Sequence, residues 1–219
     1  MGLFKRHKTR LERSIFEGFT DWHSHILPGV DDGVQTMDDA LEILAEYENL
    51  GVEQIWLTPH IMEDYPNSTS MLLNRFEELK QAYTGDITLC LASENMLDHL
   101  FEQRLEADDL LTFNDNWLLV ETSYFNPPFA MTDILERIKQ KGYIPVLAHP
   151  ERYLYMSKDD YRRLKRMRVL FQMNLPSVVG AYGKEVRKRA EWLKSQGFYD
   201  LQGTDVHRKS ILDYIENMD

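Results

Sequence analysis

The sequence predicts an α/β protein with parallel strands, and three observations support this prediction. Seven short apolar runs have the character of β-strands, and longer amphipathic helical patterns separate most of them. The chain has 219 residues, which is enough for one sizeable core and short for two. Because strict alternation of strand and helix produces parallel strands, the fold is either an open doubly wound sheet or a closed barrel.

The predicted strands are apolar throughout, as expected of strands that helices cover on both faces. They lie near 19–22, 54–58, 87–92, 117–121, 144–148, 169–173 and 199–202. Amphipathic patterns occupy about 37–50, 69–84, 129–142, 158–167, 183–196 and 208–217. In the first of these, Leu41, Leu44 and Ala45 have the i, i+3, i+4 spacing of a helix with one buried face. No internal repeat or linker interrupts the pattern, which indicates a single domain.

The N-terminal segment differs from the rest of the chain. Its first thirteen residues are strongly basic, with Leu3 and Phe4 as early apolar residues. A solvated terminus is the commoner outcome for such a segment, and the alternative is a short arm that touches an anionic membrane surface or a partner subunit. We predict a basic arm over 1–18 and one barrel or sheet domain over 19–219, with oligomer formation left open.

Charge and composition exclude several functional classes. With 25 basic and 36 acidic residues the net charge is −11, which disfavours binding to nucleic acid and favours cations as partners. No apolar run approaches the roughly 20 residues that cross a bilayer, so a soluble protein is predicted. Cys90 is the single cysteine, and no secretory signal is apparent. Both facts predict a cytoplasmic location.

The residues capable of chemistry begin at the end of the first predicted strand. His23 and His25 form an HxH motif, in which residues i and i+2 of an extended segment project to the same side. The loop at 27–33, LPGVDDG, supplies Asp31 and Asp32. Each motif alone is weak, because paired histidines and polar turns often have purely structural roles.

The other strand ends carry the same residue types. Six of the seven predicted strands end in a potential metal ligand, and the carboxyl ends of parallel strands meet at one edge. The candidate ligands are His23, His25, Asp32, His60, Glu94, Glu121, His149, Asp205 and His207. Imidazole and carboxylate without thiolate suit Mn, Fe, Zn or Co. Nine ligands are too many for one ion, and clustered carboxylates without cations would repel each other. We therefore predict several divalent ions, with Glu94 bridging.

These residues lie in motifs that resemble a known family. The motifs are DWHSHILPGVDDG at 21–33, TPH at 58–60, SEN at 93–95, VETS at 120–123, AHPERY at 148–153 and TDVH at 204–207. They are similar to the polymerase and histidinol phosphatase (PHP) superfamily, and within it to the bacterial tyrosine-protein phosphatases of capsular and exopolysaccharide systems. The likeness runs from about Phe19 to His207.

The resemblance implies a distorted (β/α)7 TIM-like barrel with a trinuclear, usually manganese-dependent site. It also implies hydrolysis of phosphotyrosine on the tail of a bacterial tyrosine autokinase that controls polysaccharide export, which would bring the protein near the membrane. The implied ligand sets are His23, His25, Glu94 and Asp205 for one ion, Glu94, Glu121 and His149 for a second, and Asp32, His60 and His207 for a third.

Two arginines are candidates for a phosphate clamp. Arg152 and Arg208 each lie beside a candidate ligand, and guanidinium matches phosphate bidentately. The alternative role for each is a surface salt bridge. The loop at 123–129, SYFNPPF, follows Glu121 and either forms a wall for a tyrosyl ring or caps the barrel as a rigid loop.

Other functions remain open at this point. A small-molecule phosphatase of the histidinol-phosphate type would use the same metals, and a catalytically silent barrel that binds a kinase would share the fold. A cysteine-based tyrosine phosphatase is disfavoured, because it requires an arginine six residues after the cysteine and Met96 occupies that position. Cys90 is predicted to be a core residue.

Overall fold

The structure is a computed structural model that describes residues 15–216, with only the backbone of Glu216. Residues 15–18 form a turn that precedes the first strand, and the rest of the predicted basic arm lies outside the described residues. The division of the chain into an arm and a domain therefore stays a prediction. Within 15–216, no helix is long and apolar enough to span a membrane.

Within residues 15–216, nine short strands form the sheet structure, and all pairs of neighbouring strands are parallel. They are β1 (Thr20–Ser24), β2 (Gln54–Leu57), β3 (His60–Ile61), β4 (Thr88–Leu91), β5 (Glu94–Met96), β6 (Trp117–Glu121), β7 (Ile144–Ala148), β8 (Leu170–Asn174) and β9 (Leu201–Gly203). All seven predicted strands are present. The second predicted strand is β2, which continues after a break as β3, and the third is β4, which continues as β5. Pro59 separates β2 from β3 because proline has no N–H to donate to the ladder.

The strands curl into a barrel rather than an open sheet. One sheet has the order β1-β2-β4 and the other β3-β5-β6-β7-β8-β9, and β3 and β5 extend β2 and β4 along the chain. The last strand returns to the first through a parallel bridge between Ser24 and Val206. The His25 N–H donates to the Val206 carbonyl at 2.9 Å, and the Asp205 N–H donates to the His23 carbonyl at 2.7 Å. The predicted distorted barrel is confirmed.

Eight helices connect the strands within the described residues. They are α1 (Met37–Leu50), α2 (Thr69–Ala82), α3 (His99–Ala107), α4 (Met131–Gln140), α5 (Lys158–Arg166), α6 (Leu175–Val179), α7 (Lys184–Ser195) and α8 (Ser210–Glu216). The six predicted helices correspond to all of these except α3 and α6, which have nine and five residues. The five residues of α6 make little more than one turn, whereas α3 is as long as the predicted α5. The Asp98 side chain caps α3 by accepting from the Phe101 N–H at 2.8 Å.

Large apolar side chains fill the amino-terminal half of the barrel. The Trp22 and Trp56 rings stack at 5.8 Å between centroids, and the Phe113 ring meets both edge-on. Leu119 and Val146 from β6 and β7 belong to the same cluster. These apolar side chains close the amino-terminal end of the barrel. The candidate ligands lie at inward positions toward the carboxyl ends of the strands.

Candidate metal centre

The HxH motif opens the site at the end of β1. The Nε2 atoms of His23 and His25 lie 3.1 Å apart, and both side chains are fully buried. Glu94 Oε2 is 3.1 Å from His23 Nε2 and 3.3 Å from His25 Nε2. Asp205 Oδ1 lies 3.5 Å and 3.4 Å from the same two nitrogens. These four residues form one group of potential ligands, which is the set that the family resemblance implies for the first ion.

A second group shares Glu94 with the first. His60 Nδ1 lies 3.2 Å from Glu94 Oε2 and 3.1 Å from Glu121 Oε1, so these three residues form a group. His149 Nε2 lies 2.9 Å from Glu94 Oε1 and 3.9 Å from Glu121 Oε2. Glu94 thus contacts four imidazoles, which is the central position that a bridging ligand requires.

The third group lies nearest the solvent. Asp32 Oδ1 is 3.5 Å from His60 Nε2 and 3.4 Å from His207 Nε2, and the group also includes His25. The Asp32 side chain is 53% exposed, whereas the other carboxylates of the centre are buried. His60 therefore belongs to two groups, while the resemblance assigns it to one. The structure brings all nine candidate ligands to one place, and it groups His25, His60 and His149 differently from the implied sets.

Three buried side-chain atoms of the candidate ligands lack a hydrogen bond, namely His149 Nδ1 and two atoms that face each other. His60 Nδ1 and Glu121 Oε1 face each other at 3.1 Å, and neither has a hydrogen-bond partner among the described residues. A buried polar atom without a partner costs about 1–3 kcal/mol. A divalent cation that binds both atoms would remove this cost. The nitrogen and oxygen donors of the site therefore fit a divalent transition metal.

Neighbouring groups hold three of the histidine rings with Nε2 toward the centre. Asp31 Oδ2 lies 2.8 Å from His25 Nδ1, and Gln172 Oε1 lies 2.9 Å from His23 Nδ1. The His207 Nδ1 lies 2.8 Å from the Asp205 carbonyl oxygen. Metal-binding histidines commonly donate their second ring N–H in this way, which fixes the tautomer and the ring orientation.

The roles of Asp31 and Gln172 are not evident from the sequence motifs. Asp31 is buried and also accepts from the backbone N–H groups of His60 and Gly33, each at 2.9 Å. Asp31 therefore orients the candidate ligand His25, whereas its neighbour Asp32 contacts His60 and His207 as a candidate ligand itself. Gln172 lies at an inward position of β8, and strand alternation is the only signal that could have indicated it.

The backbone approaches the HxH motif closely at two glycines. A Cβ atom on Gly33 would lie 2.2 Å from the His25 carbonyl oxygen, and one on Gly203 would lie 2.5 Å from the His23 Cβ. Any side chain at either position would displace a histidine. His149 and Asp205 are themselves in the left-handed region, with φ of 33° and 54°. Such conformations in non-glycine residues are costly and concentrate at functional sites.

The charges of the site oppose the effect of burial. Burial alone would lower the pKa of His23, but the carboxylates of Glu94 and Asp205 raise it to about 9. Burial alone would raise the pKa of Glu94, but His23 and His60 hold it well below its ordinary value. Without metal ions these charges therefore favour an ionised Glu94 and protons on His23, His25 and His60. Bound cations would take the place of these protons.

Arg152 lies at the centre, and Arg208 does not. Arg152 ends a short 3-10 turn after β7, and its Nη1 lies 3.0 Å from Asp205 Oδ2. Its guanidinium is held between the rings of Tyr124 and Tyr182, with Cζ 4.2 Å from each ring centroid. Arg208 is exposed and lines a neighbouring groove beside α1, which shares His207 with the metal pocket but no other residue. The structure therefore brings one of the two predicted arginines to the site.

A pocket of about 300 Å³ lies over the ligand groups. Among its lining residues, Tyr124 comes from the predicted 123–129 loop, and Tyr65 and Tyr182 come from loops that the sequence motifs did not indicate. Phe125 and Phe129 of the 123–129 loop point outward and are 88% and 97% exposed. The loop thus contributes one ring to the pocket wall and exposes two others.

The fold and the side-chain cluster define the class of protein: a parallel α/β barrel with potential metal ligands converging at the carboxyl ends of its strands. The chain belongs to the capsular polysaccharide synthesis CpsB/CapC family, whose profile matches residues 19–212. This match confirms the family that the sequence motifs indicated.

Relatives cover most of the chain. It is 28% identical to the tyrosine-protein phosphatase YwqE of Bacillus subtilis over 194 residues, which is 85% of this chain and 76% of that protein. It is 26% identical to the tyrosine-protein phosphatase CpsB of Streptococcus pneumoniae over 205 residues, covering 85% of this chain and 82% of that protein.

Solved structures share the fold. One match comes from the crystal structures of YwqE from Bacillus subtilis and CpsB from Streptococcus pneumoniae, which are described as unique metal-dependent tyrosine phosphatases. It has a TM-score of 0.79 and 25% sequence identity, and it covers 88% of this chain and 81% of that one. A lactonase from Listeria monocytogenes matches with a TM-score of 0.58 at 13% identity, over 93% of this chain and 82% of that one, and this likeness concerns the fold alone.

Proposed function

We propose that this protein is a metal-dependent protein-tyrosine phosphatase that acts in the cytoplasm. The observation that carries the proposal is the set of three overlapping ligand groups, two of which share Glu94. Relatives over most of the chain are named tyrosine-protein phosphatases, which supports the same reaction. The proposed substrate is the phosphotyrosine tail of a bacterial tyrosine autokinase of capsular or exopolysaccharide biosynthesis, as the capsular polysaccharide family suggests.

The nine residues of the centre are proposed to hold two or three divalent ions, with manganese as the expected metal and Fe, Zn or Co as alternatives. Such ions, when bound, lower the pKa of a water molecule to near neutrality and offset the charge of a phosphoryl group. Glu94 would be shared between ions, which its contacts with four imidazoles support, and Asp31 and Gln172 would keep His25 and His23 oriented for binding. The unpartnered His60 Nδ1 and Glu121 Oε1 support this assignment.

Arg152 is proposed to orient the phosphoryl group. One of its nitrogens contacts Asp205, and a guanidinium has five N–H donors, so further donors remain for phosphoryl oxygens. The Tyr124 and Tyr182 rings hold the guanidinium plane and stabilise its charge through cation–π contact. The same rings, at the wall of the pocket, suit an aromatic leaving group. Because a phenol has a pKa of about 10, the departing tyrosine needs little help from an acid.

The proposal is tested by phosphate release from a phosphotyrosine peptide, from histidinol phosphate and from an oligonucleotide. Metal-loaded protein should act on the peptide with the highest kcat/KM. Arg152→Lys should lower kcat/KM for the peptide about 10- to 100-fold, because the point charge of lysine replaces a planar, stacked guanidinium. Arg75→Lys, at an exposed position on α2, serves as the matched control and should have no effect. Absence of peptide turnover with Mn, Fe, Zn or Co would overturn the proposal.

A further inference from the structure

One surface of this acidic protein is strongly basic. Segment 158–195 carries eleven basic and four acidic side chains, a net charge of +7, in a chain whose net charge is −11. The segment includes α5 and α7, which pack side by side. Arg189 Nη1 donates to Tyr161 Oη at 3.0 Å, and Lys158 Nζ lies 4.9 Å from the Trp192 ring centroid. We call the exposed basic side chains of these two helices the basic face: Lys158, Arg162, Arg163, Arg166, Lys184, Arg187, Lys188 and Lys194.

The acidic residues of these helices do not neutralise the basic face. Asp159 and Asp160 pair with Arg162 and Arg163 within α5, at 2.8 and 3.3 Å. The two acidic residues of α7 also pair within their own helix. Such exposed pairs contribute about 0–1 kcal/mol, so an anionic ligand can compete for the arginines. The surplus positive charge remains available.

A groove lies between α4 and the basic residues of α5, next to the loop that supplies Tyr124 to the metal pocket. It has a volume of about 380 Å³, with apolar walls from Pro128, Met131 and Leu164, and Arg163 lies on its rim. Pro128 is four residues after Tyr124 of the metal pocket, so the two Cα atoms are at most about 14 Å apart. The groove therefore begins within the reach of four or five extended residues from a phosphotyrosine bound at the metal centre.

We propose that the groove and the basic face bind an acidic segment that flanks the substrate phosphotyrosine. This inference rests on the proposed phosphatase function and deepens it, because it specifies an acidic phosphopeptide as the substrate class. The net charge of −11 opposes the approach of an anionic peptide in general, and the basic face offers it a favourable route. A groove within a few extended residues of the metal pocket fits a peptide chain, whereas a flat bilayer surface would not enter it.

The test compares two metal-loaded variants on three substrates. Arg163→Gln/Arg166→Gln removes two charges from the basic face, and Arg75→Gln/Lys80→Gln removes two exposed charges from α2 as the matched control. The substrates are an acidic phosphotyrosine peptide, a neutral one of equal length and p-nitrophenyl phosphate. We expect the α5 variant to lose about three- to tenfold in kcat/KM for the acidic peptide, mainly through KM. Rates on the neutral peptide and the aryl phosphate should not change.

The preference for the acidic peptide should also weaken in high salt, because exposed charges are screened beyond about 10 Å at 0.1 M. Equal kcat/KM for acidic and neutral peptides in the wild-type protein would overturn the inference. A second result would also overturn it: the wild-type protein binds phosphatidylserine vesicles, and Arg163→Gln/Arg166→Gln abolishes this binding but leaves the peptide preference unchanged. The basic face would then bind a membrane. Absence of aryl-phosphate turnover would instead overturn the proposed phosphatase function, and the inference with it.

A second pair of variants tests the groove. Thr132 lines it, and Thr132→Trp should fill it, so that KM rises for the acidic peptide while turnover of p-nitrophenyl phosphate is unchanged. Gln140→Trp, at an exposed position near the end of the same helix, is the control and should leave both substrates unaffected. An unchanged KM in Thr132→Trp would show that the peptide does not use the groove.

Discussion

Two kinds of buried carboxylate lie within the same barrel, and they differ in what surrounds them. Asp21, in β1, accepts hydroxyl groups from Tyr47 and Thr204 at 2.6 Å each. It also accepts the backbone N–H groups of Thr204 at 2.9 Å and of His23 at 3.1 Å. All four donors are neutral and belong to the protein. Asp21 is therefore a structural acid whose oxygens are fully used.

Glu94 and Glu121 are equally buried, but their neighbours are imidazoles and other carboxylates. Glu121 Oε1 has no hydrogen bond among the described residues. Burial raises the pKa of Asp21, whereas the histidines around Glu94 lower its pKa despite burial. Burial alone therefore does not identify a metal ligand. The distinguishing feature is a buried oxygen that faces titratable nitrogens instead of N–H and O–H donors.

The largest effect should come from neutralising the central carboxylate. Glu94→Gln keeps the shape of the side chain but removes the charge shared by two ligand groups, so kcat should fall about a thousandfold or more. His149→Ala should act in the same direction. Elemental analysis should show fewer ions per chain while circular dichroism stays unchanged. Glu77→Gln, on the exposed side of α2, is the matched control. Normal turnover in Glu94→Gln would contradict the assignment of the centre.

Proton release on metal binding should distinguish the ligand groups from structural acids such as Asp21. Because the pKa of His23 is raised from 6.5 to about 9, the metal-free protein keeps this proton below pH 9, and an incoming ion must displace it. Apparent affinity for Mn²⁺ should therefore fall as pH decreases from 9 toward 6.5, by up to about tenfold per pH unit for each proton released. Calorimetry in buffers of different ionisation enthalpy counts the protons. Binding without proton release would contradict this account.

Removing the structural acid should affect stability instead of metal content. Asp21→Ala leaves two backbone N–H groups and two hydroxyls without their buried acceptor, so the free energy of unfolding should fall by about 2–4 kcal/mol. Chemical denaturation measures this loss. At temperatures where the variant is folded, the number of bound ions per chain should match the wild type. Loss of the ions from the folded variant would show that Asp21 also supports metal binding, and it would contradict the distinction between the two kinds of carboxylate.

The smallest effect is expected at the single cysteine. Cys90 is half-buried in β4, where its Sγ lies 3.1 Å from Gln54 Nε2, away from the ligand groups. Cys90→Ser should keep turnover within about twofold of the wild type, because the residue packs in the core. A large loss of turnover with retained metal would point to a thiolate role that the structure does not support.

Much of the fold follows from local patterns. Short apolar runs and amphipathic stretches located seven strands and six helices, because apolar runs and period-3.6 patterns are properties of neighbouring residues. The same reasoning missed α3 and also α6, whose five residues leave little periodicity. The interruptions after β2 and β4 were also missed. Closure of the barrel came from the family resemblance, since alternation alone leaves an open sheet equally possible.

The sequence by itself determined the identities of the nine candidate ligands, because the carboxyl ends of parallel strands meet at one edge whatever the order of the strands. Only the tertiary structure decided how they group and which neighbours serve them. It distinguished the buried Asp31 from the exposed Asp32, and it placed Arg152, but not Arg208, between two tyrosine rings. It also joined α5 and α7 into one basic surface. These outcomes depend on distances between residues far apart in the chain, and such distances are set by packing rather than by any local pattern.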